Sequence, residues 1–279
     1  MTSFSTEFVQ QMFALDGNVA VVTGGTGVLG GAMAIGLARA GASVAIVGRR
    51  KEKADAVVEQ IKAFGGTAMA APGDVMDKTQ MEAVRDMVLQ QWGKIDILVN
   101  AAGGTTPQAT VAPDKTIFDM PMDAMSNVVD LNLIGTMIPS QVIGQVMAKQ
   151  QRGSIINISS MNAQRALTRA VAYSAGKAAV ENFTRWLSVE LATKFGPQMR
   201  VNAIAPGFFV GEQNRSLLLN EDGTLTPRGE LMIHHTPLRR FGKAEELIGA
   251  LVWLCSPSAS FVNGTVIMVD GGVNAFSGI

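Results

Sequence analysis

The chain's one tyrosine, Tyr173, is followed four residues later by a lysine, Lys177. This spacing places a phenol and an ammonium group on the same face of a helix. A phenol has a pKa of about 10 in water, and a positive charge within a few ångströms lowers that pKa. The pair could then transfer protons near neutral pH. Because the same spacing also arises by chance, its meaning depends on the residues that accompany it.

The pair lies in a chain whose apolar segments alternate between strand-like and helix-like patterns. Seven short apolar, β-branched runs are predicted strands: 19–23, 43–47, 67–70, 95–100, 154–159, 200–205 and 265–269. Six helical patterns lie between them: 31–40, 51–64, 78–92, 124–149, 171–195 and 244–255. Such alternation is typical of parallel strands joined by crossover helices. We therefore expect one α/β domain over residues 1–279, with a seven-stranded parallel sheet in a Rossmann-type, doubly wound arrangement.

Composition argues against several classes of partner. The 279 residues carry 23 basic and 23 acidic side chains, so no net field attracts nucleic acid or an anionic membrane. One cysteine allows no internal disulfide, and no Cys/His pairs have the spacing of a metal site. No run of 18 uncharged apolar residues could span a bilayer. We expect a cytoplasmic protein without metal, membrane or nucleic-acid partners.

The first fifteen residues lack the basic and apolar regions of a secretory signal. Four apolar side chains recur there at helical spacing: Phe4, Phe8, Met12 and Phe13. We expect a short helix that packs on its own protein or in an oligomer, because the segment lacks the Lys and Arg of membrane-surface helices.

One long segment, residues 207–237, interrupts the alternation. It is rich in polar residues and contains both histidines, with helix-sized pieces at 217–219 and 230–234. A segment of this length outside the sheet is often a lid over a site at the strand ends. The alternative is a disordered surface loop, although Phe208, Phe209, Leu217 and Leu231 offer apolar surface to bury.

A glycine-rich turn follows the first predicted strand. Its sequence is Thr23-Gly24-Gly25-Thr26-Gly27-Val28-Leu29-Gly30, and a helical pattern comes next. A strand, a glycine turn and a helix together present backbone N–H groups and a helix N-terminus to a pyrophosphate. Glycines also form tight turns that bind nothing, so this feature alone is a weak signal.

Taken together, these motifs resemble the short-chain dehydrogenase/reductase family over practically the full length of the chain. The glycine turn resembles the family's cofactor motif, and Tyr173 to Lys177 its catalytic helix. Further matches in the same order are Asp74-Val75, Asn100-Ala101-Ala102-Gly103, Asp130-Leu131-Asn132, Pro206-Gly207 and Asp270-Gly271-Gly272. Ser160, thirteen residues before Tyr173, matches the family's serine, whereas Ser159 does not.

The resemblance implies a hydride exchange between a nicotinamide and a carbonyl or secondary alcohol. Tyr173 would transfer the proton on oxygen, while Lys177 would lower the tyrosine pKa and hold the ribose. Ser160 would hydrogen-bond the substrate oxygen, and Asn132 would support a water chain. The alternatives are that Ser160 only caps a strand end and that Asn132 only satisfies buried backbone groups.

The resemblance also implies an NAD(P)-binding site. Its residues are Gly24, Thr26, Gly27, Val28, Leu29, Gly30, Asp74, Val75, Asn100, Ala101, Gly103, Tyr173, Lys177, Pro206 and Gly207. This chain departs from the family pattern at two positions. Val28 stands where the turn usually has a glycine, and Gly211 replaces the threonine that follows Pro-Gly. The individual phosphate and carboxamide contacts are therefore less certain than the loop itself.

Cofactor choice depends on the end of the second strand, where an acidic residue would bind the ribose 2′-hydroxyl. This chain has Arg49 and Arg50 there. Because a guanidinium pairs bidentately with phosphate, the local chemistry favours NADP. The alternative is that Arg49 stacks on the adenine or faces solvent.

Two loops carry polar residues that we expect to converge on the substrate: Asn162, Gln164, Arg165, Gln213, Asn214, Arg215 and His235. Arginine forks suit carboxylates and amides suit hydroxyls, so a polyhydroxylated acid is the predicted substrate class. Each of these side chains could instead be an exposed surface group.

The glycine turn with Val28, the Gln213-Asn214-Arg215 segment and His235-Thr236-Pro237 resemble one subgroup of the family, the D-mannonate oxidoreductases or fructuronate reductases. That resemblance implies interconversion of D-fructuronate and D-mannonate. The subgroup's usual cofactor, NADH, conflicts with the arginine argument.

Two other functions compete with this interpretation. A ketoacyl or steroid reductase would use the same four catalytic residues but would need an apolar lid. A non-catalytic dinucleotide sensor would need no proton relay, so the complete set of Asn132, Ser160, Tyr173 and Lys177 weighs against it. The family resemblance further implies a homodimer or homotetramer paired through helices 124–149 and 171–195.

Overall fold

Seven parallel strands form one sheet, as predicted, and in chain order 1–7 they stand in the sheet as 3-2-1-4-5-6-7. The structure, a computed structural model, describes residues 6–278. The strands are β1 Val19–Thr23, β2 Ser43–Gly48, β3 Ala68–Pro72, β4 Ile97–Asn100, β5 Arg152–Ile158, β6 Gln198–Pro206 and β7 Val266–Val269. Each end lies within two residues of its predicted place. The crossover in strand order between β1 and β4 creates the crevice where doubly wound folds bind ligands.

The helices follow the predicted pattern with one exception. They are α1 Thr6–Phe13, α2 Val28–Arg39, α3 Lys51–Ala63, α4 Lys78–Trp92, α5 Met122–Gln150, α6 Val171–Phe195, α7 Arg215–Leu218, α8 Pro227–His235 and α9 Ile248–Cys255. The predicted helix at 244–255 is a short 3₁₀ turn, Ala244–Leu247, followed by α9. No helix between residues 6 and 278 is long and apolar enough to cross a membrane.

Two hydrophobic layers cover the two faces of the sheet. Val22 and its same-face neighbours pack with Leu37 of α2 and Leu251 of α9. Val21 belongs to the opposite layer, with Ile143 of α5. Because consecutive strand residues point to opposite faces, the continuous apolar runs fill both layers. This is the doubly wound arrangement expected from the sequence.

The N-terminal helix α1 lies on the turn that follows α9. Ser258 Oγ donates to Met12 O at 2.7 Å, which joins the two segments. Phe8 and Phe13 remain 44% and 37% exposed. Phe4, which the sequence assigned to the same helix, lies outside the described residues.

Residues 207–237 are folded rather than irregular throughout. Thr226 caps α8 by accepting from Gly229 N at 3.1 Å, and Pro227 occupies the first helical turn. An isolated antiparallel bridge joins Leu219 to Leu225. The segment also contacts the main body, since Lys53 on α3 pairs with Glu212 at 3.1 Å. The alternative of a disordered loop is therefore not supported.

Candidate active site

The carboxyl ends of β4, β5 and β6 meet the start of α6, and this junction holds the predicted proton-transfer residues. Ser160 follows β5 directly and is 7% exposed. Its hydroxyl accepts from Asn162 N at 3.3 Å, which closes a short 3₁₀ turn over Met161–Ala163. Ser160 is thus fixed at the strand end while it faces the first turn of α6. Ser160 thus caps the turn at the strand end, which was the alternative to a catalytic role. The same hydroxyl also forms a hydrogen bond with Tyr173.

The last residue of β5 and the two residues that follow it each contact a different residue of α6. Lys177 Nζ donates to Ile158 O at 2.8 Å. Ser159 Oγ donates to Glu181 Oε1 at 3.0 Å. Ser160 completes the series through its hydrogen bond with the Tyr173 phenol. Positions 173, 177 and 181 are four apart and share one helix face, so strand end and helix are joined along three successive turns.

The pKa values of the pair depart from the sequence-based expectation. Burial lowers the pKa of Lys177 from 10.5 to about 8. Burial raises the pKa of Tyr173, while its hydrogen bond with Ser160 lowers it in part. Lys177 was expected to lower the pKa of Tyr173, but in this structure the pKa of Tyr173 is raised. The cause is burial of the phenol, while Lys177 Nζ donates to Ile158 O and lies 5.7 Å from the centre of the tyrosine ring.

Asn132 on α5 holds the glycine loop that follows β4. Its Nδ2 donates to Gly104 O and to Val128 O, both at 2.7 Å, and its Oδ1 accepts from Gly104 N at 3.2 Å. Both amide hydrogens are therefore used by backbone, which is the structural role weighed as the alternative. Gly103 lies between this side chain and the lysine: a Cβ there would be 2.6 Å from Asn132 Oδ1 and 3.1 Å from Lys177 Nζ.

The sequence analysis missed Glu181, which is 4% exposed. Its Oε2 accepts from Gln164 Nε2 at 3.0 Å, so the loop after Ser160 is anchored to α6. Asn274 Nδ2 in turn donates to Gln164 Oε1 at 3.1 Å and brings the C-terminal segment to the same loop. The available signal was an acidic residue one turn after Lys177 among apolar neighbours, a position where an unpaired carboxylate would be costly.

Asn100 is a buried residue at the carboxyl end of β4. It is 1% exposed, and its Nδ2 donates to Ser140 Oγ at 3.0 Å and to Asn157 Oδ1 at 2.9 Å. The side chain therefore bonds residues of α5 and β5, and its predicted contact with the dinucleotide stays a prediction. Its Oδ1 is buried without a hydrogen-bond partner among the described residues.

The glycine turn fits a pyrophosphate. Gly24 has φ +64, and a Cβ there would lie 2.6 Å from Ala101 O. Gly27 is the N-cap of α2, and no side chain bonds the helix N-terminus. Val28 is 44% exposed and points outward, so it leaves the cradle open. Thr26 lies against Gly48, where a Cβ would be 2.8 Å from its Oγ1. Backbone N–H groups are thus free for an anion.

The other predicted cofactor residues surround this turn. Ala101 N donates to Thr23 O at 3.2 Å, and Gly207 N donates to Val269 O at 3.0 Å after Pro206. Val75 is buried, and Asp74 Oδ1 accepts from Met76 N at 3.0 Å. Further residues of the predicted set complete the cradle or flank it: Leu29, Gly30, Arg49 and Arg50. Both arginines are exposed at the end of β2, as a contact with a ribose phosphate would require.

The predicted substrate residues are only partly brought together. Gln213 packs against Gly104, where any Cβ would collide with its amide, so it lies beside the Asn132 loop. Asn162 is buried next to Ser160. Arg215 is exposed and forms no ion pair among the described residues.

Three of the predicted substrate residues form hydrogen bonds with backbone groups of this protein. Asn214 accepts from Gly211 N at 2.7 Å and donates to Phe209 O at 2.9 Å. Arg165 donates to Asn274 O, and His235 Nδ1 bonds Leu231 O at 2.9 Å. These side chains bond backbone groups in this structure, and their convergence on the substrate stays a prediction.

Comparison with known proteins supports this arrangement. Residues 26–274 match a family model described as enoyl-(acyl carrier protein) reductase. An uncharacterized oxidoreductase of Bacillus subtilis strain 168, UxuB, is 45% identical over 274 residues, which are 95% of this chain and 98% of that protein.

Two crystal structures are similar over nearly the whole chain. One is of a proposed D-mannonate oxidoreductase from Haemophilus influenzae with bound NAD, at 39% identity and TM-score 0.90, covering 97% of this chain and 100% of that one. The other is of a gluconate 5-dehydrogenase from Burkholderia cenocepacia J2315 with NADP and tartrate, at 32% identity and TM-score 0.86, covering 96% and 99%. The parallel sheet, the glycine cradle and these similarities show that the chain belongs to the short-chain dehydrogenase/reductase family, as an NAD(P)-dependent oxidoreductase.

Proposed function

We propose that this protein interconverts a keto sugar acid and the corresponding hydroxy acid, with D-fructuronate and D-mannonate as the substrate pair. The observation that carries the proposal is the polar side chain of Gln213, which segment 207–237 places over Gly104 beside Asn132. An amide suits a hydroxylated substrate and would be left unpaired by an apolar one. The similarity to a proposed D-mannonate oxidoreductase and to a gluconate 5-dehydrogenase supports the same substrate class.

The nicotinamide supplies or accepts the hydride at the carbon that carries the reacting oxygen. Tyr173 gives its phenolic proton to that oxygen during reduction and takes it back during oxidation. Ser160, already bonded to Tyr173, holds the same oxygen by a second hydrogen bond. Lys177 donates to Ile158 O and would hold the ribose of the bound cofactor with a further N–H. Asn132 keeps the Gly104 backbone in place, and its second carbonyl lone pair is available to water.

Cofactor preference is part of the proposal. Arg49 and Arg50 are exposed at the end of β2, and no acidic residue stands between Gly48 and Lys51 to repel a 2′-phosphate. We expect a higher kcat/KM with NADPH than with NADH. Side-by-side kinetics would test this preference, and a strong preference for NADH would overturn it.

Segment 207–237 is proposed to act as the lid, and the protein is proposed to form a homodimer or homotetramer. Helix α6 supports the assembly, because Trp186 and Val189 are 59% and 63% exposed on its outer face. Sedimentation equilibrium is the measurement, and a monomer at micromolar concentration would contradict it. A cytoplasmic location stays a prediction.

A substrate screen tests the reaction. Uronates, ketogluconates, aliphatic ketoacids and acyl thioesters are offered with NADH and NADPH, and we expect D-fructuronate to give the highest kcat/KM. The alternative is a ketoacyl reductase, which the 33% identity over 267 residues to a 3-oxoacyl-[acyl-carrier-protein] reductase of Synechocystis supports. Higher kcat/KM with acyl thioesters would select that alternative. Tight cofactor binding without turnover of any carbonyl would favour the non-catalytic sensor.

A further inference from the structure

Two arginines, Arg169 and Arg228, lie at the place where three segments around the candidate site are hydrogen-bonded together. Arg169 lies in the loop between Ser160 and Tyr173, and its carbonyl accepts from Val111 N at 3.0 Å. Arg228 is on α8, within segment 207–237. Its NH2 donates to Thr168 O at 3.2 Å, and its NH1 lies 3.4 Å from Thr168 Oγ1. The loop after β4, the loop before α6 and the proposed lid are therefore joined at residues 168–169.

This junction adjoins the reacting phenol. Tyr173 packs against a small apolar cluster of Ala109, Val128 and Ala172. Ala109 belongs to the same segment as Val111, which bonds Arg169. Arg169 therefore lies four residues before Tyr173 in sequence and is bonded to the segment whose Ala109 belongs to the cluster that Tyr173 packs against.

The backbone of Arg169 is held in an uncommon conformation. Its φ is +77, a value that few non-glycine residues adopt. Gln151, which shares this property, ends α5 in the left-handed conformation common at helix ends. Arg169 ends no helix. Such strain persists where surrounding contacts enforce it, and it is concentrated at ligand-binding sites.

The charges of the two arginines are uncompensated. No ion pair among residues 6–278 includes either one. Both are half-buried. Burial, and secondly the positive charge of Arg169, lower the pKa of Arg228. Two like charges held together in a partly buried place are unfavourable until an anion joins them.

We propose that Arg169 and Arg228 form the subsite that binds the carboxylate of the substrate. The inference rests on the proposed function and names how that site recognises an acid. A guanidinium offers a planar fork that matches a carboxylate, and Arg228 keeps donors beyond those used by Thr168. Because Arg228 belongs to α8, a bound carboxylate would also join the proposed lid to the loop that leads into Tyr173.

The test compares an acid with a neutral substrate of the same length. The variants are Arg169→Gln, Arg228→Gln and the double variant. The substrates are D-fructuronate and a neutral ketose without the carboxylate. For each single variant we expect kcat/KM for the acid to fall about 10- to 100-fold, as loss of one charge-assisted hydrogen bond implies. Activity on the neutral ketose should change less than about threefold.

Two further variants keep the comparison interpretable. Arg85→Gln removes an arginine on α4 that pairs with Asp86 at 2.7 Å, and it should change neither activity. Arg169→Asn removes the guanidinium but suits a positive φ, so it separates loss of charge from backbone strain. Equal losses on the acid and the neutral ketose would overturn the proposal in favour of a structural role. If kcat/KM of the variants is unchanged on both substrates, the two arginines do not bind substrate and the proposal is overturned.

Failure of the proposed function has a different signature. If the wild type turns over no sugar acid, the reaction is wrong, and D-mannonate binding to the protein with saturating cofactor is then measured by calorimetry. Weaker binding to the double variant than to Arg85→Gln would retain the carboxylate subsite. Equal binding, or none to the wild type, would overturn the subsite as well.

Discussion

Asp96 and Lys177 are two buried ionisable groups at opposite ends of the central sheet. Asp96 precedes β4 at the amino ends of the strands and is 5% exposed. Its carboxylate accepts from Val19 N at 2.9 Å, Arg152 NH2 at 2.6 Å and Lys94 Nζ at 2.9 Å. Lys177 lies beside the carboxyl ends and is 4% exposed, with a backbone carbonyl, Ile158 O, at 2.8 Å. No ion pair among the described residues includes it.

The pKa values show what the difference means. Burial alone would raise the pKa of Asp96, but its bonds with Arg152, Lys94 and Val19 N outweigh burial and lower it. Lys177 has no comparable partners, so burial prevails and its pKa falls to about 8. The amino end therefore contains a charge that the fold has satisfied. Beside the carboxyl ends of the strands, the charge of Lys177 has no ionic partner among the described residues. Such a charge is expected where a substrate and cofactor complete the site.

The largest expected effect is on turnover, at Tyr173 beside the carboxyl ends of the strands. Tyr173→Phe removes the phenolic proton while the ring keeps its packing. We expect turnover to fall about 10²- to 10⁴-fold, since positioned proton transfer contributes that much. Cofactor affinity, followed by fluorescence titration, and the urea midpoint should remain close to wild type. Retained turnover would refute the assignment of Tyr173.

The second largest expected effect is on stability, at Asp96 beside the amino ends of the strands. Asp96→Asn should lower the free energy of unfolding by about 3 kcal/mol at pH 7, because a buried carboxylate with two cations is lost. The folded pKa of Asp96 is lowered, so its contribution is present above the unfolded pKa and is lost as pH falls through the folded one. Urea unfolding at pH 7 and in acid should show the two proteins converging. The kcat of folded Asp96→Asn should match wild type, and a large loss would break the comparison.

A smaller expected effect is the pH dependence of stability that Lys177 causes in alkaline solution, whereas Asp96 acts in acid. Between the folded pKa of Lys177 at about 8 and its unfolded value of 10.5, the unfolded state binds more protons. The wild-type free energy of unfolding should therefore gain about 2 kcal/mol relative to Lys177→Met between pH 8 and pH 10. Tyr173 starts to affect stability near its unfolded pKa of 10.0, at the upper edge of this window, but it is present in both proteins and so leaves their difference to Lys177. Urea unfolding at intervals across the window is the measurement, and a constant difference between the two proteins would contradict the buried, unpaired lysine.

Much of the fold was predictable, because it depends on local pattern. Continuous apolar runs identified all seven strands, and the four-residue spacing placed Tyr173 and Lys177 on one helix face. The glycine turn also has the predicted form. These features follow from the periodicity of strands and helices and from the conformational freedom of glycine, which neighbouring residues determine.

The partners of polar side chains were not predictable. Asn214 and Arg165 have the chemistry of substrate contacts, yet the fold presents backbone carbonyls to both. Glu181 and Arg169 carry no motif, and their importance depends on residues distant in sequence, such as Val111 for Arg169. Hydrogen-bond satisfaction is a tertiary property, so the sequence could not show which polar groups remain available.

The triple connection between the end of β5 and α6 has a consequence for redesign. Ile158, Ser159 and Ser160 each contact a separate turn of α6, and none of these contacts involves residues 207–237. These three contacts thus form without the segment proposed to select the substrate, which reaches the loop before α6 through Arg228 and Thr168 instead. Transplanting residues 208–237 from a relative should exchange substrate preference while the chemical step keeps its geometry, which makes this scaffold suitable for modular engineering.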